Sequence, residues 1–302
     1  MFRGFVLFVA LLVGGSGCHT DEGSNADMAQ PGEIDMAQPS TSPDLATPST
    51  PNAGNITVFS YSYATQSGTN AGYNAGASFI VGNTPTPAGC TPSLIGPCTT
   101  LSCVVEAADG GTTGAVTLAS GGNVMIDGGA TTLTLAPMAN GFYPPLSSTT
   151  QALFSGGETL HFTNTGSLAP ATTIALTAPT QPTITMPTPA STYTISRAAD
   201  FPIAWTGGNG GTVDVSIMTN VSSTAPGTPY GSISCSFPVA TGSGAIPAAA
   251  LAVLPTGSST LRVGVAVRAT SIVGSWGITA VAGTYMLASS GSPFAGGQAN
   301  IN

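Results

Sequence analysis

The chain has 302 residues, a formal net charge of −8 and 5% charged side chains, with no lysine and with Arg3, Arg197, Arg262 and Arg268 as its arginines. A surface so poor in clustered cations excludes nucleic acid as a partner, because affinity for a phosphate backbone comes from grouped Lys and Arg. Threonine, serine, glycine, valine and alanine dominate, while the residues that furnish exposed helix faces are scarce, so composition points to strands joined by turns.

The first element is apolar. Phe5 to Val13 reads FVLFVALLV, preceded by Arg3 and followed by Gly14-Gly15-Ser16-Gly17-Cys18. A positive start, a short apolar run and small residues before a cleavage point make the three-part pattern of a secretory signal. The run is far shorter than the ~20 residues a spanning helix requires, so a cleaved signal peptide over residues 1–17 is expected. Gly15-Ser16-Gly17-Cys18 resembles the lipobox of bacterial lipoproteins: Ser16, Gly17 and Cys18 match, and Gly15 stands where the family usually carries leucine. The resemblance implies diacylglycerol on the Cys18 sulfur, making a membrane the first partner. With His19 rather than an aspartate next, it also implies sorting to an outer membrane. Gly15-x-Gly17 reads equally as the small-x-small site of ordinary secretion. Parity favours the anchor, since Cys18, Cys90, Cys98, Cys103 and Cys235 form an odd set that becomes even once Cys18 carries lipid.

Residues 18–54 read as an acidic, proline-rich, disordered linker. They hold Asp21, Glu22, Asp27, Glu33, Asp35 and Asp44 together with Pro31, Pro39, Pro43, Pro48 and Pro51, and almost no large apolar side chain that would offset the entropy of ordering. A phrase recurs within it, Asp27-Met28-Ala29-Gln30-Pro31, then Asp35-Met36-Ala37-Gln38-Pro39, then Asp44-Leu45-Ala46-Thr47-Pro48. The period is too short for a solenoid and marks low-complexity expansion. As a flexible coil the linker spans roughly 35 Å, which suits a stalk.

From Asn55 the hydrophobic period changes to two. Ile56 and Val58 alternate with Thr57, Phe59, Tyr61 and Tyr63, and Leu133 and Leu135 alternate with Thr132 and Thr134, the pattern of half-buried antiparallel strands. Asp109-Gly110, Asp127-Gly128, Asn140-Gly141 and Asn209-Gly210 supply residues that accept positive φ in tight turns. Prolines 179, 182, 187 and 189 mark a boundary, after which Phe201, Ile203 and Trp205 share one face, as do Val213, Val215 and Ile217 beyond the Thr206–Gly211 turn. These two rows read as a hairpin. Ile233, Cys235 and Phe237 form another inward row, Ile246 to Leu251 a short helix with Pro247 in its first turn, and Leu261 to Val267 and Trp276 to Ala280 two further strands. The expected architecture is therefore all-β: two tandem antiparallel β-sandwich domains, 55–178 and 179–290, with a flexible tail at 291–302. The second half resembles the Ig-like modules of bacterial surface proteins, on the Trp205 strand and its glycine hairpin.

Catalytic patterns are absent from the sequence. No serine lies between the glycines of a nucleophile elbow, a Walker loop is impossible without lysine, and no Gly-x-Gly-x-x-Gly occurs, so no nucleotide cofactor is expected. His161 lies between Leu160 and Phe162 and reads as a solvated histidine rather than a metal ligand. Glu106, Asp109, Asp127, Glu158, Asp200 and Asp214 follow no cation-loop spacing, and no Cys-x-x-Cys knuckle suggests zinc. In an oxidising compartment Cys90 pairs with Cys98, with Cys103 as the runner-up partner of Cys90, while Cys103 and Cys235 read as core residues. Trp205 and Trp276 read as core, Arg262 and Arg268 as solvated, and Phe59, Tyr61 and Tyr63 as the stripe best placed to face a ligand, with a contact between sheets or domains as its commoner use. The function expected is that of a membrane-anchored exported lipoprotein of the cell envelope, non-catalytic, with a binding, adhesive or structural role toward an envelope protein or a glycan. The alternative is a surface hydrolase or carbohydrate-processing enzyme whose carboxylates are assembled by the fold.

Overall fold

The computed structural model describes residues 52–65, 68–82, 86, 89–105, 116–188, 190, 192–220, 225–285 and 296–302. The signal segment, Cys18 and the acidic linker up to residue 51 lie outside the described residues, as do Glu106 and Asp109. The described residues belong to one compact unit.

The protein is all-β. In chain order it forms β1 (Asn52–Thr65), β2 (Gly68–Val81), β3 (Cys90–Ile95), β4 (Cys98–Val104), β5 (Thr117–Leu118), β6 (Val124–Asp127) and β7 (Leu133–Leu135). There follow β8 (Leu146–Ser148), β9 (Thr159–Asn164), β10 (Thr172–Thr177), β11 (Thr183–Met186), β12 (Thr192–Ile195) and β13 (Phe201–Thr206). The chain continues through β14 (Thr212–Thr219), β15 (Pro229–Pro238), β16 (Ser243–Ile246), the single-turn helix α1 (Ala248–Leu251), β17 (Gly257–Val273), β18 (Trp276–Tyr285) and β19 (Gly296–Ile301).

Twelve strands make one open sheet whose main path is β3-β4-β15-β14-β17-β18-β1-β2-β5, with β8 on β2, β19 on β17 and β12 on β19. Two small sheets face it, β10-β9-β6-β7 and β11-β13-β16. The alternation set by the pleat places one row of each strand in a core. Ile56, Val58, Phe79, Ile278, Ala280 and Ala282 of the large sheet meet Val124, Ile126, Leu133, Leu135, Leu160 and Phe162 of the four-stranded sheet. Val213, Val215, Ile233, Cys235, Leu261, Val263 and Val265 meet Ile184, Ile203, Trp205 and Ile246 of the three-stranded sheet.

Two cores are thus present, but they are not two chain-contiguous modules divided near residue 178. β1 pairs in parallel with β18 from Asn52↔Trp276 to Ser60↔Thr284. β4 pairs with β15 from Val104↔Pro229 to Cys98↔Cys235. Strands from both sides of the proline-rich boundary therefore share one sheet. Period-two alternation fixes which face of a strand is buried and leaves open which neighbour it pairs with, so the two cores were visible in the sequence and the interleaving was not.

Three further expectations change for the same reason. β13 pairs with β11 and β16, and β14 with β15 and β17, so the clearest hairpin of the sequence is an arch between two sheets. Gly207, Gly208, Gly210 and Gly211 all take positive φ, letting the loop turn between layers so that its two apolar rows face each other. Among the described residues, two-residue hairpin turns lie elsewhere, at Gly96-Pro97, where Ile95 pairs with Cys98, and at Gly274-Ser275, where Val273 pairs with Trp276. In each, glycine takes the first turn position with φ near +60° (56° and 60°), the place a II′ turn reserves for it. The expected tail is instead β19 from residue 296 onward. It pairs with β17 and in parallel with β12, and it buries Ala299 and Ile301 in the second core. The structured body also begins three residues before Asn55, because Asn52 already pairs with Trp276. α1 forms where expected, with Pro247 immediately before it and the Asp200 carboxylate accepting the Ala248 N–H at 2.8 Å.

The disulfides are Cys90–Cys103 and Cys98–Cys235, which replaces the expected Cys90–Cys98 link with the runner-up partner and staples Cys98 to the second half. The register explains it. Around the Gly96-Pro97 turn Cys90 lies opposite Cys103 while Cys98 lies opposite Ile95, and Cys98 meets Cys235 on its other edge. On the loop-entropy account the link spanning 137 residues stabilises by about 5 kcal/mol, and the one spanning 13 residues by about 3 kcal/mol. In denaturant melts, the Cys98→Ala/Cys235→Ala pair is therefore expected to lower the stability more than Cys90→Ala/Cys103→Ala, and the reverse order would contradict this account.

Candidate functional site

The aromatic stripe of β1 is the first candidate, and the structure does not leave it open. Tyr61 is buried and its hydroxyl donates to the Ser148 carbonyl at 3.3 Å. Its strand partner is Gly72, and a side chain there would collide with the Tyr61 ring. Phe59 is half-buried and lies in the same way across Gly283, its partner on β18. The side chain of Tyr63 lies outside the described residues. Glycines opposite aromatics let the rings lie down along the sheet, so the outward row of this strand packs instead of standing free as a ligand platform. The signal was present in the sequence as Gly72 and Gly283, but only the register reveals which residues they face.

The described carboxylates are dispersed and mostly engaged with backbone or with a counter-charge. Glu158 closes the turn before β9, its two oxygens accepting the Ser155 N–H at 2.9 Å and the Gly156 N–H at 2.7 Å. Partial burial acts to raise its pKa, but the N–H groups of Ser155, Glu158 itself and Gly156 together outweigh that and hold the carboxyl below its ordinary range. Asp200 serves the first turn of α1. Asp127 is partly exposed and pairs across strands with His161, which is exposed between the buried Leu160 and Phe162.

A compact charged constellation lies on the outward face of β14, β15 and β17. Asp214 forms an ion pair with Arg268 and accepts hydrogen bonds from the Thr212 hydroxyl at 2.9 Å and the Ser236 hydroxyl at 2.8 Å. Arg268 also donates to the Thr212 hydroxyl at 2.8 Å. Arg262 and Arg268 are both exposed, as expected, and Arg268 is in addition ion-paired. Sequence spacing could not bring Asp214 and Arg268 together across 54 residues, because only the β14/β17 register does so. The members of the cluster are bonded to one another across the three strands.

Trp205 and Trp276 are both buried in the cores, as their alternation implied. Trp205 donates its indole N–H to the Val239 carbonyl at 2.8 Å and borders a shallow open depression with Gly207, Gly208, Val239 and Gly242. The depression carries no titratable side chain. Among the described residues no three His, Cys, Asp or Glu side chains come together as a metal would require, and no helix is long and apolar enough to cross a membrane. Compared with known proteins, the chain matches no family model and no curated protein.

The Glu158 turn carries a pH signature. Because its folded pKa is depressed, its stabilising contribution is complete above the unfolded carboxylate pKa and is lost as pH falls through the folded value. The stability difference between the native protein and Glu158→Gln is expected at neutral pH and to vanish on acidification below about pH 4. A difference that persists or grows in acid would refute the role given to this carboxylate.

Proposed function

We propose that this is an exported, lipid-anchored protein of the cell envelope whose β-sheet body binds or scaffolds and does not catalyse. The observation that supports this best is the cysteine inventory. Cys90, Cys98, Cys103 and Cys235 are consumed by the two disulfides, and Cys18 is the remaining cysteine of the chain. Stable disulfides belong to oxidising compartments, which fits export. An unpaired cysteine directly after an apolar leader and small residues fits lipid attachment better than a structural role. Of the described carboxylates, Glu158, Asp200 and Asp214 hold a turn, a helix start and an ion pair, uses that fit a scaffold. The acidic linker then acts as a tether, and the outer membrane is the destination that His19 after the cysteine implies. The partner class is an envelope protein or a glycan.

The anchor is testable in a bacterial host. Palmitate is expected to label the protein in a manner abolished by Cys18→Ala, and globomycin is expected to accumulate the unprocessed form. A mature form released into the medium with an unmodified Cys18 thiol would overturn the proposal.

A further inference from the structure

The end of the body at which the tether arrives carries several exposed apolar side chains. Asn52, the first residue of β1, accepts no slack there: its N–H donates to the Ser275 carbonyl at 3.0 Å, its side-chain amide donates to the Ser275 hydroxyl at 3.1 Å, and its side-chain oxygen accepts the Gly82 N–H at 2.9 Å. The β17–β18 turn beside it carries Ile272, 77% exposed. From Gly82 the same end continues along β2 into β5, where Ile80 pairs with Leu118, and on to Ala119, whose N–H donates to the Phe79 carbonyl. Gly141 packs against the Ala119 backbone, which brings in the turn holding Met138 (54% exposed) and Phe142 (44%). The Ala169 N–H donates to the Ser120 carbonyl and the Gly166 N–H to the Gly121 carbonyl, which brings in Leu168, 62% exposed.

These tips are braced. The Phe142 N–H donates to the Asn140 side chain at 3.1 Å and the Met138 N–H to the Phe142 carbonyl at 2.8 Å, closing one turn. The buried Tyr143 hydroxyl accepts the Gly121 N–H at 2.8 Å and donates to the Gly122 carbonyl at 2.6 Å. The buried Asn164 amide donates to the carbonyls of Gly121 and Pro170. Side chains held outward on fixed turns lose little entropy when something covers them, and a gathering of exposed apolar side chains marks a contact face. Within 52–53, 80–82, 116–123, 138–143, 165–170 and 272–276 there is no Asp, Glu, Lys or Arg.

We infer that this end seats against the lipid surface to which the chain is anchored, with Ile272, Leu168, Phe142 and Met138 entering the headgroup–acyl boundary. The occupant follows from the tether. Resting on the lipid anchor at Cys18 proposed above, 33 residues separate that anchor from Asn52. A flexible chain of that length spans roughly 30 to 35 Å. It holds the apolar tips at a millimolar-range effective concentration over the bilayer, so tips too few to bind membrane alone suffice once tethered. With no cation among them, the contact is apolar and indifferent to anionic lipid.

The test supplies the anchor chemically, so that it does not depend on lipidation in the cell. Residues 18–302 are coupled through the Cys18 thiol to maleimide-headgroup lipid in phosphatidylcholine vesicles, and Phe142→Trp is used as a depth probe against acyl-chain-brominated lipid. The emission added by that tryptophan is expected to fall more than twofold in brominated vesicles, equally with and without anionic lipid. Adding Ile272→Ser and Leu168→Ser is expected to restore it, with thermal unfolding unchanged. Undiminished emission in the coupled protein overturns the inference, as does a serine-sensitive, concentration-dependent self-association without vesicles, which would make a second copy the occupant. Failure of palmitate labelling with quenching intact would instead remove the cellular anchor alone.

Discussion

Strand β17 is the constraint on which the rest depends. Seventeen residues long, it keeps one alternation throughout, so that Leu261, Val263 and Val265 enter the second core and Val267 and Ala269 pack against the first. Its edges are equally occupied. β14 runs along one, and β19 followed by β18 runs along the other. A single register error in β17 would turn both apolar rows to solvent and misplace three partners, so the two cores cannot be specified independently. The small sheets then need only cover what this strand and its neighbours present, side by side on the same face of the large sheet.

The crosslinks act on this arrangement where it is weakest. β3 and β4 lie at the far edge of the large sheet, and β3 exposes Thr91, Pro92, Ser93 and Leu94. Little burial holds such a hairpin. Cys90–Cys103 ties β3 to β4, and Cys98–Cys235 ties β4 to β15, so covalent bonds replace apolar area where the sheet runs out of cover. Buried hydroxyls play a related part inside. The Ser60 hydroxyl donates to the Phe154 carbonyl at 3.0 Å and accepts the N–H groups of Leu153 and Phe154, joining a loop to β1 without a further strand. Thr219 does the same with both backbone groups of Gly231. In a chain this poor in ions, side-chain hydroxyls supply the local backbone partners that buried polar groups demand.

What could be read from the sequence was the face each strand buries. Ile233, Cys235 and Phe237, the Leu261 row and both tryptophans lie inward as their alternation required, because a pleated strand admits two faces and apolar residues choose one. Partner choice was illegible, since it depends on residues far apart in the chain. Phe201 to Trp205 and Val213 to Ile217 face each other across a core, an arrangement with the same alternation as a hairpin. Cys98 carries no local mark that sends it to Cys235. Phe59 and Tyr61 illustrate the limit for the site: outward by parity, they suited either a ligand or a packing contact, and only the register shows that each lies on a glycine of the next strand. Burial of an outward row requires knowledge of the neighbour, which one-dimensional periodicity does not contain.

Charge scarcity raises a difficulty that the fold resolves by shape. Open sheets present unpaired N–H and C=O groups, and lysine, the usual guard of such edges, is absent from the chain. β3 carries Pro92, which has no N–H to offer, and the opposite end of the large sheet's main path is β5, two residues long. β7 at one edge of the four-stranded sheet is three residues long, and β10 at the other lies against β17 and β18. β11, an edge of the three-stranded sheet, breaks register between Ile184 and Met186. Short strands, a proline, a bulge and a covered edge thus do what charge does elsewhere. Among the described residues this leaves Glu158 to a turn, Asp200 to the start of α1 and Asp214 to its ion pair.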